Sequence, residues 1–134
     1  MPRNAVRQTS LLVSSVVAIA LTTPAFAAVE DYEFQLTRPR VKLGDGVIIA
    51  VRLLDKRTKS LVPKAVIVAK QMDMRPDGMA TMSATLTEVP SEAPGEYRFK
   101  TDLWMLGRWQ LSIEAKVQGE DETIQRTLVI RTLP

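Results

Sequence analysis

Apolar and polar positions alternate along most of the chain. Tyr32, Phe34 and Leu36 interleave with Glu33, Gln35 and Thr37, the period-two pattern of a strand with one buried face. Val47 to Leu54 is a nearly continuous apolar run in which Arg52 marks an outer face, and it follows the turn Gly44-Asp45-Gly46. Trp109, Leu111, Ile113, Ala115 and Val117 alternate with Arg108, Gln110, Ser112, Glu114 and Lys116, which makes this the most sharply two-faced segment of the chain. Further strands are predicted over 64–74, 79–89, 96–102 and 122–132. The breaks between them are the charged segment Asp55 to Ser60, the turn Arg75-Pro76-Asp77-Gly78, the stiff stretch from Ser91 to Gly95 with Pro90 and Pro94, and Gly119.

About seven strands at short intervals, with no helical periodicity after residue 28, predict an all-β fold, an immunoglobulin-like antiparallel β-sandwich. The chain has no cysteine, so the inter-sheet disulfide of antibody domains is absent and the label covers architecture only.

The first residues break this pattern. Arg3 and Arg7 precede an apolar run from Leu11 to Leu21, and Ala25 and Ala27 suit the small-residue positions of a signal-peptidase site. This predicts a signal peptide over 1–27, cleavage after Ala27, delivery to the periplasm, and a single domain over 28–134. The apolar run is shorter than the roughly 20 residues that span a bilayer. Without Arg3 and Arg7 the eighteen basic residues become sixteen against fifteen acidic ones, a net charge of +1. The basic residues are scattered and aromatics are few, so no nucleic-acid partner is expected.

Composition then narrows the chemistry. With neither cysteine nor histidine, the chain lacks thiol nucleophiles, the commonest general base and most metal ligands, and no carboxylate pair or phosphate-cradling glycine motif stands out. The expectation is a protein that is not an enzyme. Asp73 to Gly78 resembles a calcium loop only superficially, because Arg75 takes a ligand position and Ala84 stands where a bidentate glutamate is needed. Haem binding is not expected either, as no His or Cys can serve as an axial ligand.

What remains is thioether sulfur. Met72, Met74, Met79 and Met82 fall within eleven residues, and Met105 follows in Leu103-Trp104-Met105-Leu106-Gly107. A neutral, polarizable sulfur suits Cu(I) and Ag(I) and is a poor ligand for zinc, calcium or magnesium. If Pro76-Asp77-Gly78 close a hairpin with Arg75 opposite Met79, then Met72 faces Met82, Met74 faces Ala80 on the same side, and Met79 points to the other. Three thioethers would converge into a trigonal Cu(I) site. The same register puts Val66, Val68, Ala84 and Leu86 on that face, so it also reads as a core face that methionine fills well. Lys70 falls there too, which signals a bulge or a different register. For Trp104 and Met105 the choices are packing over the sandwich edge or, for Trp104, a cation–π contact to a bound metal.

Taken in order, Gly44-Asp45-Gly46, the segment from Asp55 to Pro63, Met72-Asp73-Met74 with Gly78-Met79, Pro94-Gly95-Glu96-Tyr97 and Gly107-Arg108-Trp109 resemble the FixH-like and YtkA-like group of small exported or membrane-tethered domains. The resemblance implies an immunoglobulin-like sandwich and an accessory role in heavy-metal or copper efflux, or in assembly of a haem-copper oxidase. The reading that follows is a periplasmic copper or silver homeostasis protein with Met72, Met74 and Met82 as first ligands and Met79 and Met105 as lesser candidates. Its alternative is an interaction module docking onto a membrane transporter or oxidase-assembly complex, with the methionines as core.

Overall fold

The computed structural model describes residues 29–134, so the expected signal peptide and its cleavage after Ala27 lie outside the described residues. Ten strands form: β1 Tyr32–Leu36, β2 Arg40–Lys42, β3 Gly44–Asp55, β4 Ser60–Leu61, β5 Val66–Met74, β6 Met79–Ala84, β7 Leu86–Val89, β8 Glu96–Leu103, β9 Gly107–Lys116 and β10 Thr123–Leu133. The seven expected strands are all present. The three additional ones are the short β2 and β4 and the division of 79–89 into β6 and β7.

One sheet runs β1-β3-β8-β7 with β4 beside β3, and the other runs β2-β10-β9-β5-β6. This is the immunoglobulin arrangement, in which the first, second, fifth and fourth main strands make one layer and the rest the other. Two segments cross between the layers. After β1 the chain leaves the first sheet, and β2 pairs with β10 in parallel, the one parallel pair among the otherwise antiparallel ladders of the described residues. At Thr85 it crosses again, so that β6 belongs to the second sheet and β7 to the first.

Alternation decides what fills the space between the layers. On β9, Trp109, Leu111, Ile113 and Ala115 are buried while Arg108 and Lys116 are exposed, as the pattern predicts. Phe34, Val51, Leu53 and Phe99 meet them from the first sheet. Burying a side chain of this size contributes about 1.5–3 kcal/mol, and a disulfide-free domain depends on that sum.

The expected core face of β5 is corrected at its N-terminal half. Val66 and Val68 are 61% and 50% exposed, whereas Ile67 packs against the core. A register shift between Ile67 and Ala69 on the ladder to β9 resets the parity, so Met72 turns inward although Val68 does not. Lys70 keeps the side of Met72, opposite Ile113, and is exposed there. The bulge thus takes Val66 and Val68 off the face on which Lys70 was expected with them, and leaves Lys70 with Met72.

Candidate functional site

The methionine hairpin closes differently from the predicted three-residue loop. Arg75–Asp77 form one 3-10 turn that Gly78 ends in the left-handed conformation at φ 75°, with the Gly78 N–H donating to the Arg75 carbonyl at 2.9 Å. Met74, not Arg75, therefore stands opposite Met79. Beyond that pair the register jumps to Asp73 opposite Ser83 and Met72 opposite Ala84, which leaves Ala80, Thr81 and Met82 as a bulge in β6. The expected pairings of Met72 with Met82 and of Met74 with Ala80 are thus replaced.

The bulge changes which way the sulfurs face. Met79 does not go to the opposite side: it packs, half-buried, against the same core as Met82, beside the wholly buried Met72 and Met74. All four hairpin thioethers adjoin one core. Asp73 holds the irregular β5 end in place. Its buried carboxylate accepts from the Arg75 backbone N–H at 3.1 Å and the Gln71 amide at 3.3 Å, and lies 3.1 Å from Arg75 Nε. A buried charge persists only when paired and hydrogen-bonded in this way.

The turn is in turn clasped to the start of β9. Arg108 donates from its backbone N–H to Asp77 Oδ2 at 2.7 Å, from Nε to Oδ1 at 2.8 Å, and from Nη2 to the Pro76 carbonyl at 2.6 Å. The two bonds to its carboxylate, the backbone one foremost, hold the Asp77 carboxyl below its ordinary value. Gly107 permits the approach: at φ 141°, a Cβ there would collide with the Asp77 carboxylate and come within 2.7 Å of the Met74 methyl.

Met105 arrives from the loop that precedes Gly107. Its carbonyl accepts from Trp109 Nε1 at 3.1 Å and from Thr132 Oγ1 at 2.8 Å, and its side chain packs half-buried on the core. The fifth thioether therefore comes from a segment that abuts the hairpin through Gly107 and Met74. Trp104 meets Trp109 edge-on, with ring centroids 6.3 Å apart, but is 56% exposed. The expectation that it packs over the sandwich edge holds for that one contact and not for burial.

Chemically, the five thioethers comprise three on half-buried side chains, Met79, Met82 and Met105, and two on fully buried ones, Met72 and Met74, all against the one core of the sandwich. Among the described residues no group of three or more carboxylates gathers to hold a metal ion, which leaves thioethers as the soft donor set. A concavity of about 610 Å³ on the outer face of the second sheet, bordered by Gln71, Ser112, Glu114, Gln125 and Thr127, has no methionine in its lining and is not part of this site. The Asp77–Arg108 clasp was not anticipated. Its sequence signal was Gly107-Arg108 at the start of the most sharply two-faced strand, and its partner lay 31 residues away.

The family model described as YtkA-like matches residues 26–114. No curated protein sequence matches. Among solved structures, the ZirS C-terminal domain is similar at 13% identity and a TM-score of 0.45, over 100% of this chain and 83% of that one. The crystal structure of the Lin-41 filamin domain is similar at 18% identity and a TM-score of 0.44, over 80% of this chain and 98% of that one.

Proposed function

Because this chain belongs to the YtkA-like family, whose model spans most of the sandwich, we propose that it is a non-enzymatic accessory protein of the cell envelope that binds Cu(I) or Ag(I) through methionine thioethers. One observation carries the reading. Five thioethers from a hairpin and an adjoining loop adjoin a single core, in a chain with no cysteine or histidine to compete for a soft monovalent ion. Met79, Met82 and Met105 are the ligands that an incoming ion reaches first, because they are partly exposed, and Met74 lies directly across the hairpin from Met79. Met72 and Met74 have no exposed surface and lie within the core. Binding would act by mass action, releasing the ion to a transporter or to an oxidase under assembly.

Anaerobic titration of the protein with Cu(I) against a competing chelator tests this. The expected result is metal uptake that falls by at least about tenfold when Met79, Met82 and Met105 are changed together to Leu. A chelator that retains all the metal would sink the proposal.

A second reading has its own support. Full burial of Met72 and Met74 beside exposed Trp104 and Leu106 suits an interaction module that docks onto a membrane transporter or oxidase-assembly complex, with methionine as packing. Under it, the triple Leu variant recovers the same membrane complex in a pull-down, with or without metal.

A further inference from the structure

Three arginines stand in one row across the outer face of the second sheet. Arg131 is the direct partner of Arg108 on the antiparallel ladder to β9 and of Arg40 on the parallel pair with β2. All three are exposed, while their neighbours Val41, Trp109, Ile130 and Thr132 are buried, so the row lies on one side. Lys42, opposite Leu133, extends it toward the sheet end.

Like charges placed directly opposite one another across a ladder oppose folding. Among the described residues only Arg108 in this group has a carboxylate partner, Asp77, which also feels the charge of Arg131. Arg40, Lys42 and Arg131 form no ion pair among the described residues. Three cations without an ion-pair partner among the described residues, on one face of a domain whose net charge is +1, mark a charge segregated rather than scattered. Apolar surface is set among them. Val129 at 48% and Leu133 at 38% exposure flank Arg131 on β10, and the adjoining loop presents Trp104 at 56% and Leu106 at 52%.

We propose that this face docks onto an anionic lipid bilayer. The cations would meet headgroup phosphates, each strengthening binding about fivefold near a charged surface. Trp104 would sit at headgroup level, where an amphipathic ring is favoured, and Leu106, Val129 and Leu133 would cover the acyl boundary. An acidic protein would satisfy the arginines equally well. It would, however, ask for a pocket to receive its anchors, whereas here exposed apolar side chains are dispersed between the cations and at the tip of a loop. The inference does not depend on metal binding.

Co-sedimentation of the full chain with vesicles tests it, every variant sharing the same N-terminus so that differences report on the sheet. Vesicles of phosphatidylglycerol mixed with phosphatidylcholine should capture the protein, and pure phosphatidylcholine should not. Arg40→Gln and Arg131→Gln should each weaken capture about fivefold, and Trp104→Ser should weaken it further, with circular dichroism unchanged for all three. Equal capture by both vesicle types, or undiminished capture of the double arginine variant, would overturn the proposal. So would release by inorganic phosphate beyond that caused by chloride of matched ionic strength, which would indicate a site for the free anion. Displacement by polyglutamate at concentrations that spare other basic proteins would instead favour an acidic polypeptide.

Discussion

Asp77 and Arg108, 31 positions apart, are joined through both carboxylate oxygens of Asp77, one to the Arg108 backbone N–H and one to its Nε. This pair fastens the turn of the methionine hairpin to the start of β9, which already pairs with β5 along its length and carries more buried core residues than any other strand. The bonds lower the Asp77 pKa from its ordinary 3.8. A depressed folded-state pKa contributes stability above the unfolded value, and that contribution disappears as pH falls toward the folded one. Asp77→Asn should therefore lower the melting temperature near neutral pH, with a gap from wild type that narrows below about pH 4. Melts followed by circular dichroism across an acid series check this, and a gap of constant size would contradict it.

Tyr32 predicts the alkaline limb. Its hydroxyl donates to Glu120 Oε1 at 2.7 Å, and burial first, then that bond, push its pKa from 10.0 up to about 12. A phenol whose pKa is raised by folding stabilises the fold fully below the unfolded value, and this is lost as pH climbs from 10 to about 12. Phenolate absorbance should show Tyr32 ionising late, and Tyr32→Phe should remove part of the alkaline loss of stability. Ionisation of Tyr32 at its ordinary value would refute the assignment.

Where period-two alternation runs unbroken, the sequence was legible. Strand β9 and the inward set of β1 follow it residue for residue. Bulges defeat it, because one extra residue inverts every side chain beyond. That is how Val66 and Val68 come to be exposed on the strand that buries Met72, and why Met79 faces the same core as Met82. The crossing at Thr85 was hidden within a continuous strand-like stretch, and β2 is three residues whose partner is the last strand, a pairing no local pattern reports. The residues of the candidate site were visible in the sequence. Their mutual placement was not, since it depends on the Asp73 carboxylate and on the approach that Gly107 allows.

Met72 and Met74 separate shape from chemistry. Both are fully buried, so a change to Leu, which nearly conserves volume, should cost under about 1.5 kcal/mol in urea unfolding. A change to Ala should cost about 2–5 kcal/mol through lost burial and the cavity left behind. The same Ala change at Met79 or Met105 should cost less, because these side chains are only partly buried. A Leu variant of Met72 as unstable as its Ala variant would mean that the site demands more than filled space.

The parallel pairing of β2 with β10 sets an order of assembly. Arg40 and Arg131 are 91 positions apart, and two further bonds bracket their strands, from Arg131 N–H to the Pro39 carbonyl at 2.9 Å and from Leu43 N–H to the Leu133 carbonyl at 2.9 Å. Pairing so remote forms late, since the loop entropy is lost before any contact offsets it. The first sheet can gather from β1, β3, β8 and β7 while the final strand is still missing, but residues 40–42 have nothing to join until it arrives. This short strand near the start of the described sandwich thus works as a latch whose catch lies 91 positions further along the chain, and a chain interrupted before β10 keeps the latch open.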